Sequence, residues 1–489
     1  MKAYIFFSVH EELFHRVAER LREHGVDELS GFAWSPYQLR KISGRGIDYD
    51  SSLVFTRDML PACDDGKPAD LAWLQKRERE LGVSIQRMLA SERHLLAGRN
   101  FDQLMRLAEV ALREIGAAFD RVQPDFIFSE DVSCFHSYAH WVLARERGIP
   151  FWCIGTGRLP NRLSVYSQRP QRYENVDALY REIVSRGLTA DERKEAEDYV
   201  VSFRARPQRP TGMGTRAKNP GFERSDARRF KNEVALYLSD RDNPVATPPL
   251  QAIGQRFRRI ARVQLADLAG VFEPPEPGEQ YVLYPIHYQP EASTLVQAPM
   301  YLDQVQLLHD IAKSLPIGYR LYVKEHVSNR GRRPLEFYQA IREIPAVRLL
   351  GPDADTWSLI QNAAAIAVIT GTMGWEGLLF GKPVISFGDV YYNVLPHVYR
   401  ASEVPKDGWY ELFARATSQH RDDHDALLAL VSALHQRTWP GFMKNPNTFP
   451  EVLADENVAN ITHALVDAMG LLTSQLRRPP RSEGAAPRT

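Results

Sequence analysis

Apolar positions along the chain switch repeatedly between two periods. AYIFFS (residues 3–8) is a continuous apolar run of strand length, and EELFHRVAERLREHG then spaces Leu13, Val17 and Leu21 along one helical face that Gly25 closes. Residues 69–96 are long, charged and helical in pattern, and 101–119 place Leu104, Leu107, Val110, Leu112 and Ile115 on an amphipathic helix. PDFIFSED (124–131) reads as a buried strand ending in two carboxylates, followed by a helix over 138–147 and the strand IPFWCIG. Strands alternating with helices predict a parallel, doubly wound α/β sheet.

Residues 204–225 hold little apolar content and much Pro, Gly and Arg, which predicts an irregular loop. Residues 232–268 read as helix with a basic face at Arg256, Arg258, Arg259 and Arg262. FEPPEPGEQ (272–280) clusters Pro and Gly and marks a domain boundary. From Tyr281 a second series begins, in which YVLYP, YRLYVKEH, VRLLG, AIAVIT and PVISFG are strands separated by helical segments. Repeated βα units of this kind predict a second Rossmann-like sheet. Helices over 408–416 and 425–437 close it, and 461–476 form a last helix. The expected organisation is a front domain over 1–271 with a helical or irregular insertion at about 172–270, a rear domain over 280–440, a crossover region over 441–476 and a disordered tail over 477–489.

Composition narrows the function. The chain has 489 residues, too many for one core, and its 61 Lys and Arg equal its 61 Asp and Glu. A general nucleic-acid binder needs excess positive charge, so none is expected as a partner. Cys63, Cys134 and Cys153 lack metal-ligand spacing and read as buried free thiols in a reducing compartment. The N-terminus reads as a first strand rather than a leader peptide. No apolar stretch approaches the ~20 residues that span a bilayer. A cytoplasmic protein is expected, with docking to the inner membrane face left open.

In open α/β sheets ligands bind beyond the carboxyl ends of the strands. In the second half those ends carry His287, Gln289 and Glu291, then Lys324 and His326, then Gly371, Thr372, Gly374, Trp375 and Glu376. Glycines at 371 and 374 would let backbone approach a ligand, and the helix that follows would aim N–H groups at an anion. Lys324 and His326 project to one side of an extended segment and would meet a phosphate, while Glu376 would accept from ribose hydroxyls. No GxxxxGK[ST] motif occurs, so this would be a nucleotide site without a P-loop. Each residue also has a plainer reading. The glycines can tighten a turn, Glu376 can simply favour the helix dipole, Lys324 and His326 can end a solvated strand, and Trp375 can pack. In the first half, Glu130 and Asp131 suit a general base or a nucleophile, and Asp131 suits equally a helix cap. His136 and His140 share a helical face without a third ligand, so no metal is expected. Arg158 and Arg162, in an arginine-rich stretch, would meet an anionic acceptor or merely face solvent.

YPIHYQPEASTLVQAP, LYVKEH and ITGTMGWEGLLFGKPVISFGDVYYNVLP resemble the capsule polysaccharide biosynthesis family, which includes bacterial Kdo transferases, across residues 281–396. PDFIFSED and RGIPFWCIGTGRLPNR are similar to it more loosely. The resemblance implies a GT-B-like fold, with two Rossmann-like domains facing a cleft and a C-terminal helix crossing back. It implies that Lys324 and His326 touch the donor phosphate, with Val327 standing where relatives carry proline. Gly371, Thr372 and Glu376 would then lie at the nucleotide, Gln289 and Glu291 would match QPEAST, and a carboxylate at Glu130 or Asp131 would be catalytic. The expected activity is transfer of a sugar, Kdo from CMP-Kdo, to a bacterial surface polysaccharide or glycolipid, without a metal or bound cofactor. Association with the inner membrane or the polysaccharide export machinery fits the same picture. A nucleotide-sugar 2-epimerase of this architecture and a non-catalytic assembly component are the alternatives.

Overall fold

The computed structural model describes residues 1–489 except 50, 94–97, 168–172, 209–223, 242, 244–245, 420–422, 448 and 477–489. Two sheets organise the chain. The first contains β1 (Lys2–Phe6), β2 (Glu28–Ala33), β3 (Leu53–Val54), β4 (Phe126–Ser129), β5 (Phe151–Thr156) and β6 (Arg162–Tyr166). The second contains β7 (Tyr281–Pro285), β8 (Arg320–Lys324), β9 (Val347–Leu350), β10 (Ala365–Val368), β11 (Val384–Ser386) and β12 (Val398–Arg400). A short β13 (Trp439–Pro440) returns to the first sheet.

The strand orders are β13-β6-β5-β4-β1-β2-β3 and β12-β11-β10-β7-β8-β9. The second sheet is wholly parallel, and in the first only β6 runs against the rest, antiparallel to both β5 and β13. In each sheet the first strand is central and the chain winds outward one way, then the other. The winding reverses between β1 and β4, and again between β7 and β10. Such switch points open a crevice at the strands' carboxyl ends, because the flanking loops diverge to opposite faces. These strands bury on both faces, hence their nearly unbroken apolar runs.

The end of the chain ties the two sheets together. Helix His424–Gln436 packs against the helices Glu174–Arg186 and Ala190–Ala205. Trp439 then pairs with Leu163 at the edge of β6. Helix Asp455–Leu476 lies on helix Glu11–Leu21, its Val458, Ile461 and Leu465 joining the apolar cluster beneath the first sheet. This is the GT-B arrangement, with the final helix crossing back to the front lobe. The return begins earlier than the spacing predicts: the 424–436 helix bridges the lobes instead of only closing the second sheet, and the last helix starts at Asp455 rather than 461.

Other differences have local causes. The pattern over 69–96 divides into Leu71–Leu81 and Ile85–Ala90 because Gly82, at φ +63°, ends the first helix in a left-handed turn. The helix expected over 232–268 divides into Arg224–Ser239 and Pro249–Leu268, with Pro248 and Pro249 at the second start. Of the loop expected over 204–225, residues 209–223 lie outside the described residues, as does the 477–489 tail. His136 and His140 are core side chains in an aromatic cluster, where burial pushes His140 down to about 4. The three cysteines are buried and unpaired. Among the described residues no helix is long and apolar enough to cross a membrane.

The return helix should carry real stability. Ile461→Ala is expected to cost about 2–5 kcal/mol, as buried aliphatic truncations do. The fully exposed Ile317→Ala should change stability by less than ~0.5 kcal/mol. Chemical denaturation of the two variants checks the contrast; equal midpoints would show that the helix does not hold the lobe.

A candidate active site in the interlobe cleft

A cavity of about 440 Å³ opens at the switch point of the second sheet. His287, Glu291, Lys324, His326, Gly371, Thr372 and Glu376 line it from the rear lobe, and Arg158 and Lys444 line it from the front. The loops after three neighbouring strands, β10, β7 and β8, therefore converge on one space.

The backbone of His287 is clamped on both sides. Its N–H donates to Gln304 Oε1 (2.8 Å), and its carbonyl accepts from Gln304 Nε2 (3.0 Å) and Arg333 Nη2 (2.9 Å). Its Nε2 accepts from the Thr370 N–H at 3.3 Å. Burial, aided by His326, drives its pKa down to about 3, so the ring is neutral. A side chain at 371 would stand 3.0 Å from that nitrogen, so glycine there leaves room for the imidazole.

Gly371 is the N-cap of helix Thr372–Leu379 and offers no capping side chain. The amides of the first turn are thus presented to the cavity, where an anion would satisfy them. Glu376 sits one turn further in, buried, and still reaches the lining. Gly374 serves packing: a Cβ there would collide with the Tyr392 hydroxyl, and that hydroxyl donates to the Gly371 carbonyl (2.9 Å). Trp375 points away from the lining and packs on Tyr391, ring centroids 5.6 Å apart. Gln289 also lies outside it, donating to the Leu302 carbonyl and accepting from Gln304.

After β8, Lys324 Nζ donates to the Pro352 carbonyl (3.0 Å) at the cavity wall. His326 Nδ1 accepts from the Ser328 N–H (3.1 Å), which assigns the proton of the neutral ring to Nε2. Glu325 points inward, accepting from the His326 N–H (2.6 Å) and Asn329 Nδ2 (3.1 Å).

The front lobe places its own switch point opposite. His10 follows β1, and Glu130 and Asp131 follow β4. His10 Nε2 lies 2.7 Å from Glu130 Oε2. Burial pulls the His10 pKa down, but Glu130 outweighs it and the net shift is upward. Burial likewise pushes Glu130 up, yet His10, with Arg93 and Lys444, holds it below the usual carboxylate range. Water still reaches Glu130, whose side chain is 41% exposed. Asp131 moves the other way. Burial, with the Glu130 charge behind it, raises it to about 7 against the opposing hydrogen bonds from Tyr166 and the Val132 N–H. Two adjacent carboxylates with pKa values driven apart can take different roles, one a fixed anion and one a proton carrier near neutrality.

Basic groups join the lobes. The Arg158 guanidinium lies over the Tyr391 ring at 5.6 Å, and Tyr173 stacks on Tyr391 at 5.3 Å. Lys444 feels both Glu130 and Glu291, and Glu291, raised by burial, feels Arg93, Arg158 and Lys444 in turn. Arg162 takes no part in the lining; it binds the Thr438 hydroxyl (2.9 Å) and the carbonyls of His435 and Thr438, fastening the returning segment. Sequence reading missed His10, Arg93, Tyr166 and Lys444. Only His10, just past the first strand, carried the strand-end signal that marked the others. Among the described residues no group of three His, Cys, Asp or Glu is placed to hold a metal.

Residues 296–396 match the family described as capsule polysaccharide biosynthesis protein, the family whose motifs the sequence resembles. The matched stretch holds Lys324, His326 and the 371–376 corner, and it begins after His287 and Glu291. Among curated proteins no relative is found. Among solved structures, the beta Kdo 2,7 transferase of Thermosulfurimonas dismutans KpsC is 12% identical, over 73% of this chain and 89% of that one, with a TM-score of 0.39. Its beta Kdo 2,4 transferase is 16% identical over 63% and 87%, with a TM-score of 0.34. A UDP-N-acetylglucosamine 2-epimerase described as putative, from Listeria monocytogenes, is 10% identical over 98% of both chains, with a TM-score of 0.28. Superpositions this loose say nothing of the site, whose description rests on its own residues.

The upward shift of Asp131 has a sign. Its folded pKa of about 7 lies above the unfolded value near 3.8, so its contribution is complete below about 4 and is lost as pH rises through 7. Asp131→Asn should therefore raise the melting temperature at pH 8 by a few degrees more than at pH 5. Equal shifts at both pH values would mean that the buried charge is not strained.

Proposed function

We propose that the chain is a glycosyltransferase of capsule or related surface-polysaccharide assembly, transferring an acidic sugar, Kdo from CMP-Kdo, to a polysaccharide or glycolipid acceptor. One observation carries the reading. A phosphate-type corner on the rear lobe and a split carboxylate pair on the front lobe flank a single cleft crossed by basic side chains. A donor has two ends, an anionic leaving group and an electrophilic carbon, and this cleft has a matching end for each.

The leaving phosphate would sit at the amides of Thr372 and Met373, with His326 Nε2–H and Lys324 beside them. Those donors stabilise the charge that develops as the sugar–phosphate bond breaks. Glu376 would hold ribose hydroxyls. His287, neutral and clamped, would shape the wall without adding charge. The rear corner offers one cationic side chain and one helix terminus, which suits the single phosphate of a CMP donor better than a diphosphate. Arg158 and Lys444 would meet the carboxylate of an acidic sugar.

Asp131 would be the reacting carboxylate. In its ionised form it takes the proton of the acceptor hydroxyl as that oxygen bonds the anomeric carbon; in a two-step route the same ionised oxygen attacks that carbon. Glu130, locked to His10, would remain an anion and keep Asp131 basic enough to act. His10 would thus be a positioning residue. These groups would suffice without a metal. The acceptor would arrive at the inner face of the cytoplasmic membrane.

His326→Ala is expected to lower kcat/KM by about 10²–10³-fold, the range for loss of one oxyanion donor, with the melting temperature unchanged. The assay is release of CMP from CMP-Kdo with and without a capsule oligosaccharide acceptor. Near-normal turnover would remove His326 from the mechanism. Conversion of a UDP-sugar with no acceptor present would identify a 2-epimerase, and inert wild-type protein with either donor would favour an assembly component.

A further inference from the structure

Half of the exposed large apolar side chains among the described residues fall on two neighbouring helices, Arg224–Ser239 and Pro249–Leu268. On the longer one they form a stripe. Leu250, Ile253, Phe257, Leu265 and Leu268 are all exposed, Leu250 by 85% and Leu268 by 87%. At ~100° per residue they fall within an arc of about 120°, along roughly 27 Å of helix. Val263 and Ala266 occupy the opposite side and are buried. A helix with one apolar side packed and a second left in water is incomplete as a surface, since an apolar stripe of this length is normally covered.

Charge indicates what covers it. Helix Pro249–Leu268 carries four Arg against one Asp, in a chain whose total charge is zero. Arg256 and Arg258 flank the stripe, and Arg259 and Arg262 donate to the carbonyls of Arg330 and Arg332. A protein partner would match the stripe with any rim, whereas an apolar stripe with a one-sided basic surround matches an anionic bilayer.

Position completes the argument. The loop that Arg259 and Arg262 grip runs on from His326. Its Arg332 lies over the ring of Tyr288 (5.2 Å), a cavity-lining residue, and its Arg333 holds the His287 carbonyl. The helix that bears the stripe therefore packs, by its opposite side, on a loop that reaches the cleft. We infer that helix Pro249–Leu268 docks the protein on an anionic lipid surface, its apolar stripe entering the headgroup boundary and the flanking Arg256 and Arg258 meeting lipid phosphates. The link to a lipid-borne acceptor rests on the glycosyltransferase reading; the docking itself does not.

The test is co-sedimentation of the full chain with phosphatidylcholine vesicles, with and without phosphatidylglycerol, for wild type and for Leu250→Ser/Phe257→Ser/Leu268→Ser. The wild type should pellet with the phosphatidylglycerol vesicles and release in high salt. The triple variant should partition at least about tenfold more weakly, with its melting temperature and its CMP release on a soluble acceptor unchanged. Equal pelleting of the variant, equal binding to neutral vesicles, or no binding at all would overturn the inference. So would a wild-type dimer in sedimentation velocity that the substitutions dissociate without any vesicle binding, because the face would then join two copies. Vesicle binding by a wild type that transfers no sugar would leave the docking intact and sink the catalytic reading instead.

Discussion

The return of the chain to its first sheet is the constraint on which the cleft depends. Parallel sheets leave their carboxyl edges open, and nothing in either sheet alone makes two such edges face each other. The 424–436 helix, the Trp439–Leu163 pairing and the helix from Asp455 fasten the end of the chain across both lobes. Arg162 shows how tightly: three acceptors from residues 435–438 surround one guanidinium. The same return delivers Lys444 to the cavity, so the segment that joins the lobes also furnishes the site.

Electrostatics then divides labour between two neighbouring carboxylates. Both are pushed upward by burial, and the outcome differs because His10 reaches only Glu130. A charge fixed on Glu130 raises the cost of a second one on Asp131, and that cost is what makes an aspartate a proton acceptor near neutral pH. On the facing lobe the logic runs in reverse. His287 is stripped of its proton by burial, and the uncapped start of the 372–379 helix supplies positive potential without a titrating group. The front lobe thus carries a carboxyl group that titrates near neutrality, and the rear lobe a neutral imidazole and a helix terminus.

Much of the fold was legible because it follows from period and punctuation. Continuous apolar runs marked the inner strands, and FEPPEPGEQ marked the passage between lobes. The helix boundaries that were misjudged turn on Gly82 and the Pro248–Pro249 pair, each a single-residue effect inside a strongly periodic stretch. At the candidate site, the strand-end rule picked out Lys324, His326 and the 371 corner, which line the cavity, and Glu130 and Asp131, which follow β4 in the front lobe, because topology alone puts strand ends at a crevice. It could not separate lining from scaffold. Gln289, Gly374 and Trp375 share the local pattern of their neighbours, yet a hydrogen bond to Leu302, the Tyr392 hydroxyl and the Tyr391 ring claim them. Lys444 and Arg93 were invisible for the opposite reason: long-range packing that no local spacing encodes brings Lys444 to the cavity and Arg93 to the Ser133 carbonyl, behind Glu130.

The central claim concerns where a nucleotide sits, and a crystal structure with CMP bound tests it most directly. The account predicts the phosphate against the Thr372 and Met373 amides within hydrogen-bonding reach of His326 Nε2, with the open side of the cleft leading to Asp131. A nucleotide held elsewhere, or one whose phosphate turns from that corner toward solvent, would contradict it.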